Sequence, residues 1–178
     1  MLLNLSKILS KVNFLNFLFF LIPASFIAGN LILNLNVILI LIFGFIFFKE
    51  EIFKIKIHLI DKLIFLFFIF VLFTGVINNI HSYITDELRE NFVITIKSLL
   101  YLRFLFLYLI IRYMVEKNIF NFRSFFISCF VCSLFVSLDI FYQLINGQDI
   151  FGYKGFERKL SGPFGDEYIA GGYLQRFS

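Results

Sequence analysis

The residue types that could do chemistry are concentrated in the tail that follows Asn146. The tail is rich in glycine and carries both cationic and anionic side chains. Glycine lets backbone amides approach a ligand closely, and the guanidinium group of arginine fits two phosphate oxygens at once. Arginine combined with free backbone amides is the donor set that phosphate binding needs. The pattern therefore favours a phosphate-binding loop over a loop of solvated charges, with these candidates: Lys154, Arg158, Gly162, Gly165, Asp166 and Glu167.

Three further candidates, Arg103, Asp139 and Gln143, are polar residues inside otherwise apolar segments. Arg103 lies near the middle of one segment, where a charge costs about 2.5–3.5 kcal/mol on insertion scales. Asp139, Tyr142 and Gln143 share one face of a helix, because their spacing matches the helical repeat. Two compatible interpretations of this face stay open. In the first, the face forms the floor of a substrate site that opens to the outer side of a membrane. In the second, Asp139 neutralises the charge of Arg103.

The elements that must position these residues are membrane-spanning helices. Hydrophobic residues make up 60% of the chain and charged residues 16%, against about 45–50% and about 25% in soluble domains. Helical spans of about 20 residues cross a hydrocarbon core of roughly 30 Å. The expected fold is all-α, a polytopic transmembrane helical bundle over residues 1–145, followed by the beginning of an extracytoplasmic loop over residues 146–178. We predict about five spans, at residues 14–28, 31–48, 63–78, 92–112 and 125–145.

The charges in the connections predict the orientation of the bundle. Basic residues are frequent after the second and fourth predicted spans, whereas the connection after the third contains Asp86, Glu87 and Glu90. Because cytoplasmic connections carry an excess of lysine and arginine, we expect the N-terminus in the cytoplasm. An odd number of crossings then brings the tail to the periplasmic side of a bacterial inner membrane.

Other classes of function have little support in the sequence. The net charge is +4, but the basic residues form no continuous stripe, so nucleic acid is not an expected partner. Cys129 and Cys132 form a lone C-x-x-C motif inside an apolar segment, with no histidine nearby. We interpret them as small packing residues rather than a redox or metal site, and we expect no metal and no cofactor.

The end of the last span and the tail resemble the O-antigen ligase and O-antigen polymerase family. The resemblance lies in Asp139-Ile140-Phe141-Tyr142-Gln143, in the stretch from Gly147 to Gly152, and in the segment from Arg158 to Phe177. Within that last segment the match consists of Arg158, Ser161-Gly162 and Phe164-Gly165. Asp166-Glu167 follows, where many members have an Asn-containing variant. The preceding spans match only in number and hydropathy.

This resemblance implies glycan transfer on the outer face of the inner membrane, as in lipopolysaccharide biosynthesis. The implied donor is a polyisoprenyl-diphosphate-linked saccharide, and the implied acceptor is a lipid A core in ligases or another glycan in polymerases. By position, Arg158 takes the role of binding the donor diphosphate, and no metal is required. Members of the family have many more spans and a later histidine, whose position neither His58 nor His81 occupies. We therefore expect this chain to be the N-terminal part of such a protein, inactive alone.

A non-enzymatic polytopic membrane protein, such as half of a transporter or an assembly subunit, is the alternative. Arg103 and Asp139 would then line a pathway for a substrate or for protons. Transporters often have spans interrupted by glycine or proline in both halves, and here only the first span contains a proline, Pro23. The sequence favours the glycan ligase or polymerase and leaves open which of the two it is and which sugar it handles.

Overall fold

The computed structural model describes residues 2–84, 93–155, 160–165 and 167–178. Within these ranges the regular structure is helical, and no strand occurs. Two short 3-10 helices, Lys49–Lys54 and Gly162–Phe164, accompany the α-helices. The α-helices are α1 (Leu2–Phe20), α2 (Ile22–Ile27), α3 (Asn30–Phe48), α4 (Leu59–Ile84), α5 (Val93–Glu116), α6 (Phe122–Asn146) and α7 (Ala170–Phe177).

Five stretches of the described chain are long and apolar enough to cross a membrane. Their mean hydropathy lies between 1.5 and 2.8, and at most 28% of the residues in each are buried within the protein. Helices that are apolar on all sides and yet unburied need lipid around them. The chain is therefore an all-α polytopic helical bundle, as the sequence predicts. The candidate spans are Ser10–Ile27, Asn30–Lys54, Leu59–Ile80, Val93–Glu116 and Phe122–Asn146, and each overlaps one of the five predicted spans.

The helices belong to two compact units. The first unit consists of the described residues of Met1–Ile40 and Phe120–Ser178, and the second consists of those of Leu41–Ile119. The first unit therefore contains α1, α2, α6, the tail and the beginning of α3. The second contains the end of α3, the 3-10 helix that follows it, α4 and α5.

Pro23 interrupts the first candidate span, in the first unit. Because proline has no backbone N–H, the helix breaks between α1 and α2. Side chains from other helices bond to backbone carbonyls beside the break. Asn36 donates to the Leu18 carbonyl at 3.1 Å, and Ser128 donates to the Phe20 carbonyl at 2.6 Å. These bonds satisfy backbone groups that lipid could not.

The second unit is built on α4 and α5, which pack side by side in opposite directions. Gly75 adjoins Ser98, and the earlier Asp61 pairs with the later Arg112 at 3.4 Å. The absence of a side chain at Gly75 permits the close approach, because a Cβ there would lie 2.2 Å from Ser98 Oγ. Small residues at close helix contacts are typical of membrane bundles.

α6 carries two of the site candidates, and both of its ends are defined by local chemistry. Asn121 caps the N-terminus, since its side-chain oxygen accepts a hydrogen bond from Ser124 N at 3.1 Å. Gly147 ends the helix with a φ of 77°, a left-handed value that glycine adopts without strain. The helix therefore ends at Asn146, where the sequence predicts the start of the tail.

Candidate functional site

The tail turns back onto α6 instead of extending away from it. The fully buried Tyr173 of α7 packs with Val136 and Ala170 in one apolar cluster. The ring of Tyr173 also lies 5.6 Å from the ring of Phe26 in α2, measured between centroids. α7 therefore runs beside the middle of α6 and against α2, all within the first unit.

Asp139 and Asp149 hold the first part of the tail. The fully buried Asp139 carboxylate accepts a hydrogen bond from Ile150 N at 2.9 Å, and Asp149 accepts one from Tyr153 N at 2.7 Å. The two carboxylates are close enough to interact electrostatically. The second oxygen of each has no hydrogen-bond partner among the described residues. Asp139 thus binds the backbone of its own chain, whereas the sequence predicts a role in the floor of an open site.

Gln143 holds the second part of the tail and is 1% exposed. Its side-chain oxygen accepts a hydrogen bond from Gly162 N at 3.0 Å. Its side-chain nitrogen donates to the Tyr153 carbonyl and to the Ser161 hydroxyl, both at 3.3 Å. Gln143 therefore connects two separate stretches of the tail to α6 through one side chain.

Of the remaining tail candidates, Lys154 and Glu167 are exposed and Gly165 is half-buried. Lys154 is exposed and pairs through its backbone with Gln148 in an isolated bridge. Gly165 adopts a φ of 62°, and a Cβ on it would lie 3.3 Å from the ring of Tyr153. Glu167 is exposed, and its backbone N–H donates to the Phe164 carbonyl at 3.2 Å. Two predicted residues, Arg158 and Asp166, lie outside the described part of the chain.

Arg103 belongs to the second unit, whereas Asp139 belongs to the first. The guanidinium carbon of Arg103 lies 4.8 Å from the ring centroid of Phe104. Its Nε atom is buried and has no hydrogen-bond partner among the described residues. The pairing of Arg103 with Asp139 stays a prediction.

A groove between α6 and α7 lies on the first unit. Its volume is about 440 Å³, and most of its wall is apolar. Its polar lining residues are Ser133, Ser137, Arg176 and Ser178. Ser133 has a buried hydroxyl with no partner among the described residues, and Arg176 carries the positive charge. The lining residues are Phe125, Phe126, Cys129, Phe130, Ser133, Leu134, Ser137, Leu174, Arg176, Phe177 and Ser178.

Arg176 was not among the predicted site residues. Its side chain is exposed, and its guanidinium carbon lies 5.8 Å from the ring centroid of Phe26. No carboxylate pairs with it in the described ranges. A signal for Arg176 was present, since α7 is a short amphipathic segment with its one arginine in the last turn. Its approach to α6 is a tertiary contact that the sequence pattern does not reveal.

The two cysteines lie beside Tyr173 and contribute packing. Both are free thiols, with Cys129 buried and Cys132 half-buried. Cys132 also packs against the cluster formed by Val136, Ala170 and Tyr173. Burial raises the pKa of the Tyr173 hydroxyl well above its ordinary value, and the neighbouring Cys132 adds to the rise. In the described ranges no group of three or more His, Cys, Asp or Glu side chains is placed to hold a metal ion.

Comparison with known proteins identifies no relative of this chain. No family model, no curated protein and no solved structure matches the chain.

Proposed function

We propose that this chain contributes to an inner-membrane glycan ligase or polymerase that uses a polyisoprenyl-diphosphate-linked saccharide as donor. The single observation that carries the proposal is the groove beside α6, which has a mostly apolar wall and Arg176 among its lining residues. A lipid-linked diphosphate needs this combination, because its isoprenyl chain is apolar and its head is a dense negative charge. The resemblance of the tail to O-antigen ligases and polymerases points to the same donor.

The groove suits the isoprenyl chain of the proposed donor. Its walls come from aromatic and aliphatic side chains of α6, and it lies along a candidate span, where a lipid chain can enter sideways. Burial of apolar chain contributes about 0.8 kcal/mol per methylene group. The unpartnered Ser133 hydroxyl adds a polar group to a mostly apolar wall.

The arginines of the tail are the proposed binding partners of the donor's diphosphate. Arg176 is exposed and has no carboxylate partner in the described ranges, so its donors are available to an anion. Arg158 is assigned to the same diphosphate by its position in the resemblance. Transfer breaks the bond between the first sugar and the diphosphate and forms a bond from that sugar to a hydroxyl of a lipid A core or glycan acceptor. The proton of that hydroxyl passes to solvent, and arginine stabilises the negative charge that develops on the leaving diphosphate.

The proposed orientation places the N-terminus in the cytoplasm and the connection that begins at Gly147 on the periplasmic side. The excess of basic residues in the connections after the second and fourth spans supports it. Alkaline phosphatase is active only outside the cytoplasm, so a fusion after Gly155 is expected to be active and a fusion after Lys54 inactive. The opposite pattern of activity would rule out this orientation and with it a periplasmic reaction.

Binding of a polyisoprenyl diphosphate to the purified chain tests the proposed function directly. Arg176→Ala is expected to weaken binding by at least tenfold, because a hydrogen bond to a charged group contributes about 1.5–3 kcal/mol. Arg176→Lys keeps the positive charge but loses the guanidinium geometry that fits two phosphate oxygens. Its affinity is therefore expected to lie between those of the wild type and Arg176→Ala. Arg123→Ala is the matched control, since it removes the same side chain from the helix that lines the groove and Arg123 is not itself a lining residue.

Two outcomes would contradict the donor site. One is equal loss of binding in Arg176→Ala and Arg123→Ala, which would indicate general charge attraction. The other is binding of a polyisoprenyl alcohol as tight as that of the diphosphate, which would mean that the groove recognises only the apolar chain. Absence of glycan transfer by longer versions of the protein that still bind the diphosphate would favour the non-enzymatic alternative.

A further inference from the structure

A cavity in the second unit combines an apolar wall with a basic rim. Its volume is about 230 Å³, and it lies between the 3-10 helix Lys49–Lys54, the connection after it, and α4 and α5. Leu105 and Leu109 belong to its apolar wall, and Lys56 and Arg112 carry its positive charges. All of these residues belong to the second unit, so the cavity is separate from the groove proposed for the glycan donor.

The only acidic residue that lines this cavity in the described ranges, Asp61, is already engaged within the fold. It is 5% exposed and accepts hydrogen bonds from His58 N, at 2.6 Å, and from the Tyr108 hydroxyl. It also pairs with Arg112 Nε at 3.4 Å. Asp61 thus caps the start of α4 and ties it to α5, and its buried charge is compensated locally.

The two basic residues of the rim keep donors for an anion. Arg112 uses Nε for Asp61 and Nη1 for Glu116, at 3.2 Å, and its Nη2 atom has no ion pair within the described ranges. Lys56 is exposed, and no described carboxylate pairs with it. Lys49 and Lys62 lie near it in the chain and are exposed as well, as are the acidic Glu50 and Glu51. Among the residues that line the cavity two are basic and one is acidic, so its lining keeps a net positive charge.

The position of the cavity relative to the candidate spans identifies its ligand class. One span ends at Lys54, the next begins at Leu59, and the one that contains Arg112 ends at Glu116. The basic residues of the cavity therefore lie near the ends of three candidate spans, where a membrane boundary is expected. Basic pockets between transmembrane helices at such a boundary bind anionic lipid head groups. We propose that this cavity binds an anionic phospholipid, whose phosphate contacts Lys56 and Arg112 and whose acyl chain lies against Leu105 and Leu109.

The test uses the purified full chain in detergent with added phosphatidylglycerol or phosphatidylcholine of the same acyl chains. Phosphatidylglycerol is expected to raise the melting temperature and to stay bound in native mass spectra, whereas phosphatidylcholine does neither. Lys56→Gln is expected to bind phosphatidylglycerol about fivefold more weakly, the effect of one basic residue at a membrane surface. Leu109→Phe, which narrows the cavity without changing its charge, is expected to weaken binding too.

Lys62→Gln is the matched control, because it removes the same charge from the nearby first turn of α4 and Lys62 does not line the cavity. It is expected to keep the affinity of the wild type. Equal losses in Lys56→Gln and Lys62→Gln would overturn the proposal in favour of diffuse surface attraction. Glycerol phosphate that raises the melting temperature as much as phosphatidylglycerol would overturn it in favour of a free anion site. The melting temperature of each variant without added lipid shows whether Leu109→Phe still folds, and Lys56→Gln decides the proposal if it does not.

Discussion

The hydroxyl group of Tyr173 donates a hydrogen bond of 3.1 Å to the backbone carbonyl of Pro23. One partner lies in the last helix of the described chain and the other at the break in its first candidate span. This bond therefore fastens the tail to the interrupted helix. It also gives the Pro23 carbonyl a hydrogen-bond donor from outside its own helix.

We predict that Tyr173→Phe destabilises the protein by about 0.6–2 kcal/mol, the range for hydrogen bonds between membrane helices. The ring stays, so its packing against Phe26 and Val136 is kept and only the hydroxyl is lost. Reversible unfolding in bicelles measures the change. Tyr142→Phe is the matched control, because Tyr142 is 45% exposed on α6. Equal effects of the two substitutions would show that the Tyr173 hydroxyl contributes nothing specific.

Alkaline pH is expected to destabilise the tail through the same hydroxyl. Burial raises the pKa of Tyr173 above its ordinary value of 10.0. The native state therefore retains the proton at a pH where the unfolded state has lost it. The stability that this contributes is fully present below about pH 10 and falls as the pH rises above it. Unfolding measured from pH 8 to 11 should show a steeper loss in the wild type than in Tyr173→Phe, and identical slopes would contradict the prediction.

The class of the fold could be predicted from the sequence because hydropathy and length are local properties of the chain. Each apolar stretch is long enough to cross a membrane by itself, and Gly147 marks the end of α6 through a backbone conformation that favours glycine. The overlap between the predicted spans and the candidate spans follows from these local signals.

The return of the tail could not be predicted in the same way, because it depends on partners far apart in the chain. The spacing of Asp139 and Gln143 indicates a shared polar face, and both residues do belong to the side of α6 that meets the tail. The pattern does not show that Ile150 and Gly162 supply their hydrogen-bond donors. Arg176 was missed as a site residue for the same reason, since only the packing of α7 brings it to the groove.

Gln143→Leu is predicted to release the tail while α6 remains intact. The substitution removes the side-chain hydrogen bonds to Gly162 N, the Tyr153 carbonyl and Ser161, and a buried group left unpaired costs about 1–3 kcal/mol. Limited proteolysis of the purified protein should then cut beyond Gly147 faster than in the wild type. Tyr142→Leu, a change at the neighbouring exposed position, is expected to leave the cutting rate unchanged. Equal protection of the tail in wild type and Gln143→Leu would contradict its role as an anchor.

The contact between Gly75 and Ser98 predicts that Gly75→Ala loses stability and that a second substitution restores part of it. A Cβ at Gly75 would lie 2.2 Å from Ser98 Oγ and 2.6 Å from Ser98 Cβ, so Gly75→Ala should push α4 and α5 apart. Overpacking of this kind costs about 1–3 kcal/mol. Gly75→Ala combined with Ser98→Gly removes the clash and should recover part of the stability lost in the single variant. Reversible unfolding in bicelles measures all three proteins.

Gly171→Ala is the control for the glycine-to-alanine change itself, because a Cβ at Gly171 meets no atom within 4 Å. It is expected to be neutral or to stabilise by up to about 1 kcal/mol, the helix preference of alanine over glycine. If Gly75→Ala were as stable as Gly171→Ala, α4 and α5 would not be in close contact at this point. Additive losses in Gly75→Ala and Ser98→Gly would likewise show that the two positions do not touch, since residues in contact are expected to couple.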